Sequence, residues 1–481
     1  MRLKQIITLM LVAVCIPAMT GCNFTVSAKQ PTTEATAEAP TEIATQPILC
    51  KVQIQSTDKQ NLTDEITYNL YSVDKNNKST IVKENIKTVN GIAHIDLEQG
   101  DYRLVADIGS SQQAFSVKAD ESSQTVQFEN NNMYKILSST TNVCVIGDSI
   151  TIGSSSGGYG WYDGLIEKFP NIKNVDVAAT GGQTSASLFD NENDMSVIDS
   201  TSAKTYIIAL GINDVIYRDK NTSSTTFTTA EYIKNIENLV KYIKNKDENA
   251  INNFIFVAPF EYINKDSYQF TKYIRRENTH LEYTIALYNW CKLNNYAFTA
   301  PMNYIKNTLA TVDNAEEYTV DDVHPAYPLG TQLYSKAVYE SSVVSNGGTL
   351  NISQLFYKES QRSPADKSYS KYPLDYTKVE VTNDILKKSC FTIKNYSTGE
   401  YVTLNEADNG EYEFEELNAI PHYYRPTDTG CITVNNLPQG GYIINFENND
   451  LGYKAYLDTD IAFVNGGDVI TNSYIYMNYN K

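Results

Sequence analysis

The sequence contains little cysteine, histidine or tryptophan, and metal centres are built largely from the first two of these. Its 481 residues include seven cysteines, four histidines and two tryptophans. The cysteines are scattered along the chain without the short spacing of metal ligands, so the sequence predicts no metal site. Whether Cys390 and Cys431 form a disulfide is left open by the sequence.

Positive charge is also scarce. There are 39 lysines and arginines against 57 aspartates and glutamates, which gives a formal net charge of −18. A field of this sign repels phosphate backbones, so it argues against nucleic acid as a partner. The apolar run at residues 6–16 is too short to span a bilayer as a settled helix.

The N-terminus has the features of an export signal. Arg2 and Lys4 precede the apolar run, and Met19-Thr20-Gly21 leads into Cys22. This pattern resembles the bacterial lipoprotein signal, which implies that residues 1–22 are a signal peptide ending at a lipidated Cys22. An ordinary secretory signal is the alternative. Either reading predicts an extracellular protein, and the first predicts a lipid anchor in the cell membrane.

Residues 23–47 are rich in Thr, Ala, Glu and Pro, which predicts a disordered tether. Residues 48–130 alternate apolar and polar positions between Asp- and Asn-rich turns, which predicts a small antiparallel β-sandwich. His94 lies in one of these strands, and we expect it to have a structural role. Beyond it, a different pattern begins.

In residues 136–345, buried strands alternate with amphipathic helices. The predicted strands are 143–146, 175–179, 206–210 and 254–258, and the predicted helices are 161–169, 230–246 and 272–293. This alternation predicts an α/β domain whose parallel sheet is covered by helices on both faces. The helical pattern then stops, so we expect a linker at 346–375 and a second β-rich domain at 376–481.

The second β-rich region contains the pattern Leu-Pro-x-Gly-x-Tyr at 437–442, after a strand that begins near Gly430. It resembles the prealbumin-like (Cna B-type) domains of bacterial surface proteins, and residues 91–102 resemble a weaker copy. Many of those domains carry an internal isopeptide bond assisted by an acidic residue. The matching positions here are Phe446 and Ala106, so we predict no such crosslink. The resemblance implies spacers, or modules that face surface or glycan ligands.

A candidate nucleophile lies at the end of the first strand of the central domain. The sequence Gly-Asp-Ser-Ile at 147–150 places Ser149 at the carboxyl end of a buried strand, where α/β sheets present reactive side chains. Ser149 could instead only cap the following helix. Three later segments supply partners: Gly181-Gly182 after the second strand, Asn213-Asp214 after the third, and Asp321 with His324 near the end of the domain.

These four segments, in this order, resemble the SGNH (GDSL-type) hydrolase superfamily over residues 136–345. The resemblance implies a three-layer, flavodoxin-like α/β/α domain. It also implies that Ser149 is the nucleophile, His324 the general base and Asp321 the residue that orients it. The oxyanion hole would be formed by the N–H of Ser149, the backbone of Gly182 and the side chain of Asn213.

Some features of the pattern leave alternatives. Asp322 is a rival to Asp321, although its spacing from the histidine does not match the family motif. Asp214 is expected to hold a loop rather than take part in chemistry. Family members often have Asn-x-Gly where this chain has Val177 and Ala179. Two other histidines offer no better base, since His280 falls in a helical pattern and His422 in the C-terminal region.

The sequence therefore predicts a secreted, membrane-tethered serine esterase that forms an acyl-enzyme and needs no metal or organic cofactor. Without a long apolar lid segment, and with an exported position, O-acetylated glycans are the expected substrates. The expected sugar platforms are Tyr159, Trp161 and Tyr162, which could equally be helix packing. The rival interpretations are an acyltransferase of the same fold and a surface adhesin that only binds.

Overall fold

The structure is a computed structural model. It describes residues 49–56, 67–75, 79–89, 92–106, 112–119, 122–128, 132–220, 227–246, 252–260, 270–294, 296–321, 323–342, 348–359, 376–378, 390–406, 411–426, 431–447, 453–455, 460–465 and 468–477. The chain divides into two units, Met1–Pro47 and Ile48–Lys481. The predicted signal peptide, Cys22 and the tether at 23–47 all lie outside the described residues. None of the described helices is long and apolar enough to cross a bilayer.

The described residues of the N-terminal region form seven strands in two sheets. They are β1 (Cys50–Ser56), β2 (Thr67–Val73), β3 (Ser79–Lys87), β4 (Ile92–Leu97), β5 (Gly100–Ala106), β6 (Gln112–Val117) and β7 (Ser123–Phe128). One sheet has the order β4-β1-β7 and the other β3-β2-β5-β6. All these pairs are antiparallel except β1 with β7, which differs from the prediction of an entirely antiparallel arrangement. The alternation of apolar and polar residues along β1 determines which side chains face the core, since Val52 and Ile54 are buried while Lys51 is exposed.

The central region is an α/β domain with a sheet of five strands among its described residues. Its strands are β8 (Asn142–Gly147), β9 (Asn174–Ala179), β10 (Thr205–Ile208), β11 (Asn253–Val257) and β12 (Ala297–Thr299). Its helices are α1 (Asn132–Ser138), α2 (Ser149–Ile152), α3 (Tyr162–Lys168), α4 (Glu192–Ser200), α5 (Ile212–Lys220), α6 (Thr229–Lys246), α7 (Phe270–Asn294), α8 (Met302–Leu309) and α9 (Leu329–Glu340). The sheet order is β12-β11-β10-β8-β9, and every pair is parallel. The predicted α/β class and parallel sheet are confirmed.

The sheet is buried on both faces, which explains why its strands are continuous apolar runs. In β8, Val143 and Val145 belong to one core cluster, and Cys144 and Ile146 belong to the other. Helix α6 contributes Ile236, Leu239, Val240 and Ile243 to the second cluster, as its periodicity predicts. Side chains of α3, α8 and α9 lie in the first cluster. The carboxyl ends of the strands therefore form one edge between two helical layers.

In the C-terminal region, the residues that the structure describes form one ten-stranded sheet. Its strands are β13 (Gly348–Glu359), β14 (Tyr376–Lys378), β15 (Cys390–Asn395), β16 (Tyr401–Glu406), β17 (Tyr412–Asn418), β18 (Cys431–Leu437), β19 (Gly440–Glu447), β20 (Tyr453–Ala455), β21 (Asp460–Val464) and β22 (Asp468–Met477). The order is β20-β22-β13-β18-β17-β16-β15-β19-β21, and β14 pairs with β13. Cys390 and Cys431 begin strands that have β16 and β17 between them.

The predicted linker at 346–375 is wrong for its first part. Strand β13 occupies Gly348–Glu359 and lies between β18 and β22, antiparallel to the first and parallel to the second. Leu350 and Ile352 alternate along it and are buried in the C-terminal core. Residues two apart in a strand point to the same face, so both side chains enter the core of this sheet. The strand is therefore an internal part of the sheet and not a linker.

Strand β21 joins the C-terminal sheet to the central domain. Ala462 and Val464 belong to the core of the C-terminal sheet, whereas Ile461 and Phe463 belong to the first core cluster of the central domain. The ring of Phe463 lies 5.2 Å from that of Tyr288 on α7 and 5.9 Å from that of Phe298 on β12. The two regions therefore share apolar core rather than meeting through a bare linker.

Candidate active site

The nucleophile candidate occupies a tight connection between β8 and α2. A Cβ on Gly147 would lie 2.0 Å from Oγ1 of Thr151, so only glycine fits at the end of this strand. That hydroxyl is fixed in turn, because it accepts a hydrogen bond of 3.2 Å from Nε1 of Trp161. Asp148 caps α2, its carboxylate accepting from the N–H of Ile150 at 3.0 Å. Ser149 is thereby held at the carboxyl edge of the sheet, half-buried.

The structure brings Ser149 and His324 into hydrogen-bond contact across 175 residues of sequence. Nε2 of His324 lies 2.9 Å from Oγ of Ser149, and Nδ1 lies 2.8 Å from Oδ2 of Asp321. With a proton on Nδ1, the imidazole donates to the carboxylate and leaves Nε2 free to accept from the serine. The three predicted residues therefore form one chain of hydrogen bonds.

Asp321 is positioned by its own loop. Its Oδ1 accepts from the backbone N–H groups of Val323 at 2.8 Å and His324 at 2.7 Å. Burial acts to raise the pKa of Asp321, but the hydrogen bonds from His324 and Val323 outweigh it and leave that pKa below the ordinary value of 3.8. The carboxylate is therefore charged wherever a histidine base can operate. Asp322, the sequence rival, lies outside the described residues.

The predicted oxyanion residues lie at the ends of the neighbouring strands. Gly182 has a φ of 80°, in the turn that follows β9, a conformation that favours glycine. The next residue, Gln183, ties this turn to both flanking segments. Its carbonyl accepts from Nδ2 of Asn213 at 2.9 Å, and its Nε2 donates to the carbonyl of Gly147 at 3.2 Å. Ser149 is the first residue of α2, so its N–H has no acceptor within the helix.

Asp214 anchors the turn after β9 through hydrogen bonds to Ser185. It accepts from the backbone N–H of Ser185 at 2.9 Å and from its hydroxyl at 2.6 Å, and Asn235 donates to that same hydroxyl at 3.1 Å. Burial raises the pKa of Asp214, and the bonds from Ser185 act against that rise. These contacts match the loop-holding role expected for Asp214. Sequence reasoning did not find Gln183, Ser185 or Asn235, because single amides and hydroxyls carry no recognisable spacing.

The other candidates occupy different surroundings. Trp161 is 1 % exposed and packs in the core, so the expectation that it forms a sugar platform is wrong. Tyr162 is half-buried against it, whereas Tyr159 is exposed. His280 is completely buried, with Nδ1 3.2 Å from the carbonyl oxygen of Pro259. Only His324, among the described histidines, contacts Ser149.

Asp148 makes the stability of the protein depend on pH. Burial raises the pKa of its carboxyl to about 7, the Ile150 N–H lowers it, and the charge of Asp214 raises it further. Between pH 4 and pH 7 the folded state keeps a proton that the unfolded chain has released, so we expect the contribution of Asp148 to the free energy of unfolding to fall as pH rises, by roughly 4 kcal/mol at most. Asp148→Asn, whose amide oxygen can still accept from Ile150, should remove this dependence.

The measurement is urea unfolding of wild type and Asp148→Asn at pH 4.5 and 7.5. We expect the variant to gain stability relative to wild type at the higher pH. Asp190→Asn is the matched control, since that side chain is exposed, and it should shift stability equally at both values. A difference between wild type and Asp148→Asn that is the same at both pH values would contradict the prediction.

Asn213→Ala tests the oxyanion role. The amide carries two N–H bonds, of which one is directed at the Gln183 carbonyl, so the other is available to a developing oxyanion. Loss of one such donor typically lowers kcat by about 10²–10³. We expect this loss in steady-state ester hydrolysis with little change in KM. Asn171→Ala, which removes an amide bonded to the carbonyls of Leu137 and Thr140, is the control and should keep kcat within about threefold. Equal loss in both variants would contradict the assignment.

A family model matches the segment of the chain that contains these residues. Residues 145–326 match the sequence model of the GDSL-like Lipase/Acylhydrolase family. That segment begins within β8 and ends two residues after His324, so it contains every predicted catalytic and oxyanion residue. The resemblance to GDSL-type hydrolases is confirmed for the central domain, which is a serine ester hydrolase domain. No curated protein matches the chain.

Solved structures also resemble a part of the chain. One is a GDSL-like lipase from Parabacteroides merdae, with 18% identity and a TM-score of 0.33, covering 41% of this chain and 93% of that one. Another is an acetylxylan esterase from Geobacillus stearothermophilus, with 21% identity, a TM-score of 0.32 and coverage of 41% and 91%. A third is an α/β hydrolase from the metagenome of Lake Arreo, Spain, with 19% identity, a TM-score of 0.32 and coverage of 41% and 92%.

Proposed function

We propose that this GDSL-type hydrolase is a membrane-tethered esterase that removes acyl groups, chiefly acetyl, from carbohydrates. The observation that carries the reaction type is the chain of hydrogen bonds from Ser149 through His324 to Asp321. An alcohol, an imidazole and a carboxylate in this order activate a serine for attack on a carbonyl. The reaction needs no other group to generate the nucleophile.

The steps follow from the geometry. As Oγ of Ser149 bonds to the ester carbon, its proton passes to Nε2 of His324, and the carbonyl oxygen becomes an anion facing the donors of Gly182 and Asn213. Collapse of this intermediate breaks the ester C–O bond, and the leaving alcohol takes the proton from His324. Water then adds to the acyl-enzyme with His324 as base, which releases the acid and restores the serine.

Several features support a carbohydrate as the alcohol portion. The strongly acidic chain disfavours anionic polymers, so the expected glycan is neutral. Two exposed aromatic side chains, Tyr159 and Tyr327, flank the loop that carries His324. Aromatic rings pack well against the apolar faces of sugar rings. An exported enzyme meets the glycans of its surroundings before it meets intracellular esters.

Release of acetate tests this proposal. Wild type is incubated with acetylated xylan, mannan and cellulose oligosaccharides, with tributyrin as the lipid ester, and the free acid is measured. We expect the acetylated glycans to be better substrates than tributyrin by kcat/KM. Preference for tributyrin would overturn the carbohydrate assignment while leaving the serine chemistry intact.

The anchor is part of the same proposal. Its support is the sequence before Cys22, which resembles a lipoprotein signal, and the Thr- and Pro-rich tether that follows. The flanking β-rich regions, whose sequences resemble prealbumin-like modules of surface proteins, suit such a location. In cells, wild type should sediment with membranes and Cys22→Ala should not. Equal sedimentation of both would overturn lipidation at this residue.

A further inference from the structure

Two exposed tyrosines stack on each other beside the catalytic histidine. The ring centroids of Tyr159 and Tyr327 are 3.9 Å apart and the ring planes differ by 14°. Tyr159 is 48% exposed and Tyr327 is 52% exposed. We call this pair the tyrosine ledge. Stacking covers one face of each ring, and the exposure leaves apolar surface in contact with water.

The ledge belongs to the same side of the site as His324. Tyr327 follows His324 by three residues, which limits the separation of their Cα atoms to about 10 Å. Tyr159 lies on the loop after α2, and this loop is joined to the histidine loop by a buried hydrogen bond of 2.6 Å from Oγ of Ser156 to the carbonyl of Pro325. The oxyanion residues Gly182 and Asn213 lie on other segments, after β9 and β10.

Both halves of the ledge are held by rigid backbone. Gly153 has a φ of 69°, and a Cβ there would lie 2.4 Å from the carbonyl oxygen of Tyr159, so the loop closes tightly on itself. On the other side, the N–H of Ala326 donates to the carbonyl of Tyr318 at 2.9 Å. The backbone is therefore held on both sides and the rings already stack on each other before any ligand binds, which lowers the entropic cost of binding.

The chemistry of ester hydrolysis decides which part of a substrate lies at this ledge. His324 must give its proton to the oxygen of the leaving alcohol, so that oxygen has to approach Nε2. The carbonyl oxygen points instead to the oxyanion donors. Groups on the histidine side of the site therefore contact the alcohol portion of the ester rather than the acyl group.

We propose that the tyrosine ledge binds a pyranose ring of the alcohol portion, the neutral glycan whose ester is cleaved. This inference rests on the proposed function and adds the subsite that recognises the sugar. A pyranose presents a flat apolar face of C–H groups, which matches an outer ring face of the stacked pair, while the second ring supports the first from behind.

The experiment compares two acetyl esters in each variant. One is acetylated xylo-oligosaccharide, and the other is ethyl acetate, which has no ring. Tyr159→Ala and Tyr327→Ala should each lower kcat/KM on the oligosaccharide about tenfold, mainly through KM, and leave ethyl acetate within twofold. Tyr159→Phe should keep most of the oligosaccharide activity, because the ring remains. Tyr423→Ala, at an exposed tyrosine of the C-terminal region, is the matched control and should change neither.

Each other outcome is decisive. Equal loss on both substrates, or no loss on either, would overturn the ledge as a sugar subsite. A loss that grows from ethyl acetate to ethyl butyrate would also overturn it, since the ledge would then contact the acyl group. If wild type hydrolyses none of these esters, the proposed function fails, and calorimetry with Ser149→Ala and unacetylated xylo-oligosaccharide decides the ledge alone. Binding that is lost on adding Tyr159→Ala supports it, and absence of binding overturns it.

Discussion

Ser149→Ala is expected to lower kcat for ester hydrolysis by about 10⁴–10⁶, with the fold and KM nearly unchanged. Without the hydroxyl no acyl-enzyme can form, and the remaining donors can only assist direct attack by water. The substitution removes one oxygen atom from a half-buried position, so it leaves no cavity of consequence. Acid release in a pH-stat, at enzyme concentrations high enough to detect slow turnover, measures the effect.

Ser155→Ala is the matched control, since Ser155 lies half-buried in the loop just after α2. It should keep kcat within about threefold, and both variants should have the wild-type melting temperature. A burst of released alcohol from wild type that is absent in Ser149→Ala would show directly that the serine carries the acyl group. Residual activity in Ser149→Ala within tenfold of wild type would show that Ser149 is not the nucleophile.

The central fold follows closely from the sequence because its strands are buried on both faces. β8, β10 and β11 are continuous apolar runs, and each was predicted to within one or two residues at its ends. β12 has three residues, too few for any pattern, and gains its place through the neighbouring β11. The local sequence pattern is sufficient to predict a strand that is buried on both faces. It is insufficient for a strand that is defined only by its hydrogen bonds to a neighbouring strand.

The C-terminal region shows the opposite case. β13 carries Leu350 and Ile352 in alternation with polar residues, but its partners β18 and β22 are distant in sequence, so the sequence does not show which sheet it joins. The sharing of core through Phe463 could not be foreseen either. Successive side chains of β21 enter two different cores, so both faces of the strand are apolar. Its sequence therefore has the pattern of a strand buried in a single core. Which domain each face meets is a property of tertiary packing.

At the site, the residues that form the chain of hydrogen bonds could be predicted from the sequence, whereas the residues that support them could not. Ser149, Asp321 and His324 belong to chemistry that restricts residue type and order, so sequence alone brings them to notice. Gln183 and Ser185 act through one amide and one hydroxyl, for which other residues could serve. Trp161 shows the reverse error, because this aromatic residue near the nucleophile is buried in the core. Of the two exposed rings, Tyr159 was among the expected residues, and Tyr327, far along the chain, was not.

Asp321→Asn is the second change expected to have a very large effect, a fall in kcat of about 10³–10⁴. The carboxylate accepts the proton on Nδ1 and so keeps Nε2 free for Ser149. An amide in its place can donate to Nδ1, which favours the tautomer that carries its proton on Nε2. That tautomer cannot take the proton of the serine. Steady-state hydrolysis of ethyl acetate measures the loss.

The neighbouring carboxylate supplies the control. Asp322→Asn removes the same charge one residue away and should keep kcat within about tenfold of wild type. The pKa of Asp321 lies below 3.8, so activity lost on acidification from pH 7 to pH 5 cannot come from protonation of that carboxylate. If Asp322→Asn proves the more damaging of the two, the histidine is oriented by Asp322, and the contact between Asp321 and Nδ1 is not the one used in catalysis.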